Sequence, residues 1–392
     1  MNELKNITVI GAGTMGAGIA HFAAMNGHYV VLIDMFPKAL EKAKENYIKY
    51  LSKLVEKSII TQEKSEEVSN NLKISESLND AKNSDLVIEA IIEDPTIKQK
   101  LFNDLEEIVS DNCILATNTS SLSIASLAGK SKVPSRLLGM HFFNPPTIMQ
   151  LVEIIPSVLT DEKIAEVSTD LMNKWGKTPV RAKDTPGFIV NRVARPYYAE
   201  SIKILDEGIA NIETIDYAMK EFGGFKMGPF ELMDMIGHDV NYVVTETVFK
   251  NNYFDPRFRP SVTQLRMLEA GLLGKKTGRG FYDYINPKEL QIDKDHDLCE
   301  GIFQRVISMV INEAFETMSL NIATKEDIEF AMLKATNYPK GPFEWAELLG
   351  YDVVFETVNQ MFELYGDMRY RPNIMLKFLG TYSENELDEI DE

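Results

Sequence analysis

A run of apolar, β-branched residues near the amino terminus breaks into three closely spaced glycines and then continues with helical periodicity. In ITVIGAGTMGAGIAHFAAMNG the glycines are Gly11, Gly13 and Gly16. The pattern predicts a strand, a tight turn and a helix. Gly11 permits the turn, Gly13 lets the backbone approach a pyrophosphate, and Gly16 allows close packing of helix on strand. Because the free amides at the helix N-terminus attract phosphates, the stretch predicts a Rossmann-type dinucleotide-binding domain.

The end of the next predicted strand indicates which dinucleotide is bound. YVVLID ends at Asp34, at about the separation from the glycines expected for a carboxylate that accepts hydrogen bonds from ribose hydroxyls. Met35 and Phe36 follow, so no adjacent arginine is present to receive a 2′-phosphate, which the carboxylate would repel. We therefore expect NAD rather than NADP. The motif alone leaves open a glycine turn followed by a surface aspartate.

Polar residues follow two further predicted strands, at the edge where doubly wound sheets bind their ligands. The strands lie in SDLVIEAIIED and CILATNTSS. The polar residues are Glu89 and Glu93 after the first strand, and Asn118, Thr119 and Ser120 after the second. They are candidates for ligand contacts. Alternatively, Asn118 and Ser120 cap the helix predicted in LSIASLAG, a role that Ser121 could also fill.

Composition narrows the classes of partner and compartment. The net charge of −18 argues against nucleic acid or an anionic membrane as a general partner. No apolar run is long enough to span a bilayer, and the amino terminus does not have the pattern of a signal peptide. The two cysteines, Cys113 and Cys299, are far apart and lack metal-ligand spacing, as in proteins of a reducing compartment. We expect a cytoplasmic protein without a metal site.

Six motifs spread over nearly the whole chain resemble those of the 3-hydroxyacyl-CoA dehydrogenases. They are GAGTMGAGIA, EAIIEDPTIKQKLF, NTSSL, HFFNPP, DTPGFIVNR and GKKTGRGFYDY. The resemblance implies an NAD-dependent enzyme that interconverts (S)-3-hydroxyacyl-CoA and 3-oxoacyl-CoA. The expected substrates are short-chain, such as 3-hydroxybutyryl-CoA and acetoacetyl-CoA. The small-molecule partner is therefore an acyl-CoA.

The resemblance also assigns catalytic residues. His141 falls on the family's catalytic histidine, and Glu153 on the carboxylate paired with it. Ser120 and Asn191 fall on two neutral groups that hold the C3 oxygen. Independently, LLGMHFF and MQLVEII can form neighbouring strands joined through NPPTI, which would let His141 face Glu153. For the pair alone, the alternative is a core histidine bonded to a buried glutamate.

Further contacts follow from the resemblance. Beside the three glycines and Asp34, the expected nicotinamide or ribose contacts are Glu93, Lys98, Asn144 and Lys276. Near the CoA phosphates, the segment KALEKAKENYIKYLSKLVEK offers Lys53 and Lys57, with Ser120 closer to the reacting end. Tyr50 stands where the family has a serine. This departure weakens the CoA assignment, and a solvated lysine–glutamate face explains the segment equally well.

The second half of the chain is a duplication. RVARPYYAE through MGPFELMDMIGHDV is echoed by RVISMVINE through KGPFEWAELLGYDV, and a shift of 113 carries Arg192 to Arg305 and Gly228 to Gly341. Asn191 becomes Gln304, so the second copy is not expected to form a second active site. Single-copy members of the family pair through their helical domains. We therefore expect a monomer with an internal pseudo-dimer, while a homodimer remains the alternative.

These observations predict an α/β Rossmann-type dinucleotide-binding domain followed by two tandem all-α domains. The predicted bounds are 1–183, 184–285 and 300–380, with a disordered acidic tail at 381–392. One rival function is that of a related NAD-dependent hydroxyacid or sugar-acid dehydrogenase without CoA, which would require an arginine for the substrate carboxylate. The other is a catalytically silent NADH-binding protein. Ser120, His141, Glu153 and Asn191 together argue against the silent protein.

Overall fold

A computed structural model describes residues 4–381, which divide into two units. The first unit extends to Thr185 and contains the sheet, and the second begins at Pro186 and is largely helical. The predicted boundary after residue 183 lies two residues before this division. Both helical copies belong to the second unit. Apart from residue 381, the predicted acidic tail lies outside the described residues.

Within residues 4–185, eight strands form one sheet in the order β3-β2-β1-β4-β5-β6-β7-β8. The strands are β1 (Asn6–Ile10), β2 (Tyr29–Ile33), β3 (Leu72–Ser75), β4 (Leu86–Glu89), β5 (Ile114–Thr117), β6 (Leu137–Phe142), β7 (Leu151–Pro156) and β8 (Thr178–Arg181). Strands β1 to β6 are parallel, β7 is antiparallel to β6, and β8 is parallel to β7. The order reverses between β1 and β4, which confirms the predicted Rossmann-type fold and marks the ligand-binding edge.

Helices cover this sheet, and they are α1 (Thr14–Met25), α2 (Pro37–Glu56), α3 (Gln62–Asn70), α4 (Pro95–Glu106), α5 (Ile124–Ala128) and α6 (Glu162–Lys174). Every residue of β4, β5 and β6 is buried, as expected for strands packed on both faces. Apolar side chains of the strands and helices form one continuous core. The few polar side chains buried in this unit are therefore candidates for functional residues.

The second unit contains two similar series of helices. The first copy has α7 (Val190–Val193), α8 (Arg195–Asp206), α9 (Ile212–Gly223), α10 (Pro229–Ile236), α11 (His238–Asn251) and α12 (Val262–Glu269). The second has α13 (His296–Ser319), α14 (Lys325–Thr336), α15 (Pro342–Leu349), α16 (Tyr351–Tyr365) and α17 (Ile374–Thr381). Residues 274–283 add isolated β-bridges. The prediction of helical copies is confirmed.

The Gly-Pro-Phe-Glu sequence has the same structural role in both copies. Asp216 accepts hydrogen bonds from the backbone amides of residues 230 and 231, and Glu329 accepts from those of residues 343 and 344. A β-carbon at Gly228 would lie 2.3 Å from Asp216 Oδ1, and one at Gly341 would lie 1.9 Å from Glu329 Oε2. Each glycine is therefore required because an acid from the preceding helix caps the next helix.

The two copies contact each other through equivalent residues. Arg192 Nε lies 2.8 Å from Glu313 Oε1, and Arg305 Nη2 lies 2.6 Å from Glu200 Oε1. The shift of 113 converts each ion pair into the other, since it carries Arg192 to Arg305 and Glu200 to Glu313. Such an exchange of partners is the signature of an isologous interface. Here the interface is internal to one chain.

Candidate active site

The glycine turn lies beyond the carboxyl end of β1. Gly11 has a φ of 103°, and a β-carbon there would lie 2.5 Å from the carbonyl oxygen of Ala90. A β-carbon at Gly16 would lie 1.8 Å from the carbonyl oxygen of Gly11. In contrast, one at Gly13 would meet no atom within 4 Å. The fold itself requires Gly11 and Gly16, whereas Gly13 leaves open space at the start of α1, which fits a dinucleotide pyrophosphate.

Asp34 follows β2 and contacts this turn. Its Oδ2 accepts a hydrogen bond of 2.6 Å from the amide of Ala12, and its Oδ1 accepts one of 2.9 Å from the amide of Phe36. Met35 and Phe36 are exposed. The carboxylate expected at the adenosine ribose is therefore held next to the turn expected at the pyrophosphate. The residues that immediately follow Asp34 provide no positive charge for a 2′-phosphate.

A buried cluster of charges lies beyond β4. Lys98 in α4 is only 1% exposed, and its Nζ lies 2.5 Å from Glu89 Oε1 and 3.1 Å from Glu93 Oε2. Glu89, fully buried at the end of β4, also accepts hydrogen bonds from Thr117 Oγ1 and the amide of Ile91. The ammonium is thus enclosed by two carboxylates, as is usual where a lysine is buried. A direct contact between Lys98 and a cofactor stays a prediction.

Glu93 connects this cluster to the turn that follows β5. Its Oε1 accepts hydrogen bonds from Thr119 Oγ1, from the amide of Ser120 at 3.1 Å and from Ser121 Oγ at 3.0 Å. Burial would raise the pKa of Glu93, but the positive charge of Lys98 and these hydroxyl donors outweigh it and hold the pKa below its usual value. Glu93 is therefore an anion that fixes the backbone of the turn carrying Ser120.

His141 and Glu153 are directly opposite each other on β6 and β7. His141 Nδ1 lies 2.6 Å from Glu153 Oε2, with the histidine 6% exposed and the glutamate fully buried. The predicted hairpin and the predicted proximity of the two side chains are confirmed. Because an ionised carboxylate can only accept, Nδ1 carries the hydrogen and donates it. In the neutral imidazole, Nε2 then carries no hydrogen, and this is the tautomer that a general base requires.

The alternative in which Asn118 and Ser120 act as helix caps does not match the structure. Ser123 is the N-cap of α5, and its side chain accepts a hydrogen bond from the amide of Ser126. Asn118 Oδ1 instead accepts a hydrogen bond of 2.8 Å from the amide of Phe142. That bond links the end of β5 to the end of β6, next to His141. The Ser120 turn and the histidine are therefore held at one edge of the sheet.

Other predicted contacts lie elsewhere in the two units. Asn144 is exposed in the connection between β6 and β7, and Lys53 and Lys57 are exposed at the end of α2. In the helical unit, Asn191 is half-buried in α7, and Lys276 forms an ion pair with Asp239. The roles assigned to these side chains stay predictions.

Asp184, in the DTPGF motif, was not predicted as a positioning residue. It accepts hydrogen bonds from the amides of Ile124 and Ala125, at 2.9 and 2.6 Å, and from Ser123 Oγ at 3.1 Å. It therefore caps α5, the helix that follows the Ser120 turn, from a position about sixty residues along the chain. No local sequence pattern indicates such a contact, and the only signal was that the acid stands within one of the family motifs.

Between residues 4 and 381, no group of three or more histidine, cysteine, aspartate or glutamate side chains is arranged to hold a metal ion. In the same range, no helix is both long enough and apolar enough to cross a membrane. Cys113 and Cys299 are buried free thiols, and burial raises the pKa of Cys113 to about 12.

Family models match nearly the whole chain. The family model for the 3-hydroxyacyl-CoA dehydrogenase NAD binding domain matches residues 6–185, and that for the C-terminal domain of the same enzymes matches residues 187–284 and again 302–388. A protein of Escherichia coli (strain K12) named 3-hydroxyadipyl-CoA dehydrogenase is 34% identical, with 96% of this chain and 98% of that one covered.

Two further relatives have similar names. A protein of Bacillus subtilis (strain 168) named probable 3-hydroxybutyryl-CoA dehydrogenase is 42% identical and covers 72% of this chain and 98% of its own. The crystal structure of 3-hydroxybutyryl-CoA dehydrogenase from Escherichia coli K12 matches with a TM-score of 0.92 and 33% identity, over 99% of this chain and 100% of that one. The chain belongs to the 3-hydroxyacyl-CoA dehydrogenase family and is an NAD-dependent oxidoreductase.

Proposed function

We propose that this protein interconverts short-chain (S)-3-hydroxyacyl-CoA and 3-oxoacyl-CoA, with 3-hydroxybutyryl-CoA and acetoacetyl-CoA as representative substrates. The observation that carries the proposal is the 2.6 Å contact between His141 and Glu153 at the ligand-binding edge of a dinucleotide-binding sheet. The names of the relatives support a CoA thioester as substrate. The short chain is supported by the hydroxybutyryl names among them.

Oxidation of a secondary alcohol requires a base for the hydroxyl proton. His141 Nε2 accepts this proton in the oxidative direction, and the imidazolium returns it in the reductive direction. The carboxylate of Glu153 holds Nδ1–H and stabilises the imidazolium while it exists. Glu153 itself does not need to take a proton. NAD, which Gly13 and Asp34 would help to hold, would supply the acceptor for the hydride that leaves C3.

Charge on the C3 oxygen changes during the reaction, so neutral donors near that oxygen lower the barrier. Ser120 is assigned to this role because Glu93 fixes its backbone at the same edge as His141. Asn191 is assigned to it by its position in the DTPGFIVNR motif. In a chain with a net charge of −18, the CoA phosphates require local positive charge, and Lys53 and Lys57 are the proposed source.

The test is the loss of NADH absorbance with purified protein and acetoacetyl-CoA. Free acetoacetate and NADPH serve as the two comparison reactants. We expect rapid loss only when acetoacetyl-CoA and NADH are combined. Turnover of free acetoacetate at a similar rate would instead favour a dehydrogenase that does not use CoA. If NADH binds but the absorbance falls with none of the substrate and cofactor combinations, the catalytically silent protein would be favoured.

A quaternary structure is also proposed: a monomer whose two helical copies replace the dimer formed by single-copy relatives. The reciprocal ion pairs Arg192–Glu313 and Arg305–Glu200 support this proposal because they use the surfaces that an isologous dimer would use. Sedimentation equilibrium should give the mass of one 44.4 kDa chain. A dimer that persists at nanomolar concentration would contradict it.

The proposed compartment remains the cytoplasm, supported by the absence of any predicted disulfide framework.

A further inference from the structure

Lys177 is a buried lysine that forms no ion pair with an acidic residue within residues 4–381. It lies just before β8 and is 7% exposed. Its Nζ donates to the carbonyl oxygens of Pro146 and Met149, at 2.5 and 2.7 Å, and lies 3.8 Å from the centre of the Phe22 ring. Lysines are rarely buried without a paired carboxylate. An unusual buried cation of this kind calls for an explanation.

The two carbonyl groups belong to the connection between β6 and β7, residues 143–150. Phe22 belongs to α1, the helix that begins at the glycine turn. One turn earlier on α1, a β-carbon at Gly18 would lie only 2.9 Å from Pro146 Cδ. The connection therefore rests directly on α1, and Lys177 holds it there through two carbonyl groups and one aromatic ring.

This connection matters for the cofactor because it carries Asn144. It also joins the strand of His141 to the strand of Glu153. We propose that Lys177 is a positioning residue, which fixes residues 143–150 against α1 and thereby places Asn144 for contact with the nicotinamide half of NAD. The inference rests on the proposed role of Asn144. It assigns Lys177 no contact with substrate or cofactor.

Burial supports this assignment, because the site is unfavourable for a lysine. Loss of solvation lowers the pKa of Lys177 to about 8. An apolar side chain of similar length would fill the same space without that penalty but could not bind the two carbonyl groups. Methionine is therefore the informative substitution. It keeps the contact with Phe22 and removes both hydrogen bonds.

The experiment measures NADH affinity by fluorescence titration for Lys177→Met, Asn144→Ala and wild type. Lys174→Met is the matched control because Lys174 is exposed and lies on the same segment. We expect the NADH dissociation constant to rise roughly tenfold in Lys177→Met, as for the loss of the one hydrogen bond that Asn144 is proposed to make with the cofactor. The turnover number at saturating NADH should stay within about twofold of wild type, since the His141–Glu153 pair is unchanged. The control should bind NADH normally.

The variant Gly18→Ala separates an effect on the position of residues 143–150 from an effect on stability. It also provides a second test if Lys177→Met does not fold. Alanine favours the interior of a helix by about 1 kcal/mol relative to glycine. Its methyl group would displace Pro146 while leaving Lys177 in place. We expect weaker NADH binding without a loss of thermal stability. A structural role alone would not produce this combination.

The outcomes distinguish the inference from the function on which it rests. If Asn144→Ala weakens NADH binding but Lys177→Met and Gly18→Ala do not, the contact of Asn144 stands and the role of Lys177 is refuted. If Asn144→Ala leaves NADH binding unchanged, the contact itself is refuted and the inference falls with it. Weaker binding in all three variants, with normal binding in Lys174→Met, supports both.

Discussion

Replacing Glu153 by glutamine tests the histidine–carboxylate pair without changing its shape. The amide can still accept a hydrogen bond from His141 Nδ1, so the tautomer is retained, but the negative charge is lost. For charge centres about 4 Å apart and an effective dielectric constant of about 20, the lost interaction with the imidazolium is ~4 kcal/mol. The glutamine dipole and structural relaxation recover part of it. We therefore expect turnover to fall roughly 100- to 1000-fold.

The assay is the steady-state reduction of acetoacetyl-CoA by NADH, combined with fluorescence titration of NADH. The NADH dissociation constant should change less than about twofold, because Glu153 is fully buried behind His141 and is not expected to contact the cofactor. Glu162→Gln provides a matched control, since Glu162 is a mostly exposed carboxylate paired with Arg181. Wild-type turnover in Glu153→Gln would refute the reasoning. So would an equal loss in the control.

Three further predictions concern other parts of the molecule. Burial lowers the pKa of His21 to about 4 from an ordinary value of 6.5. As the pH falls, the unfolded chain therefore binds a proton at this histidine before the folded chain does. The free energy of unfolding should decrease as the pH drops from about 6.5 to 4. Between pH 7.5 and 4.5, the unfolding free energy of wild type should decrease by about 2 kcal/mol more than that of His21→Gln, measured by denaturant titration. Arg305→Met leaves the buried Glu200 without its main partner and should lower the unfolding free energy by about 3 kcal/mol, and the double variant with Glu200→Met should recover part of the loss. Asp34→Ala should weaken NADH binding roughly tenfold and reduce the discrimination against NADPH, measured as the ratio of the two dissociation constants.

Local sequence predicted much of the sheet unit because its constraints are local. Gly11 and Gly16 are needed where backbone meets backbone, so a pattern of glycines reports the turn. The pairing of His141 with Glu153 was assigned by the family resemblance, and the short connection between two apolar strands allowed the two side chains to face each other. The duplication was readable for a different reason: two copies under the same packing constraints kept the same glycine before each Pro-Phe-Glu.

Contacts between distant segments were not predictable in this way. Nothing in the sequence near Lys98 shows that two carboxylates enclose it, since α4 reads as an amphipathic helix in which a lysine is expected to be exposed. The cap that Asp184 provides for α5 and the anchoring by Lys177 join segments from about thirty to sixty residues apart. Periodicity reports which face of an element is buried. It does not report which distant polar group meets that face.

The turnover of His141→Gln with acetoacetyl-CoA at saturating NADH, measured beside its NADH affinity, tests the proposed chemistry most directly. With the general base removed, turnover should fall roughly 100- to 10,000-fold, while NADH still binds as in wild type. Turnover close to that of wild type would contradict the assignment of His141 as the base.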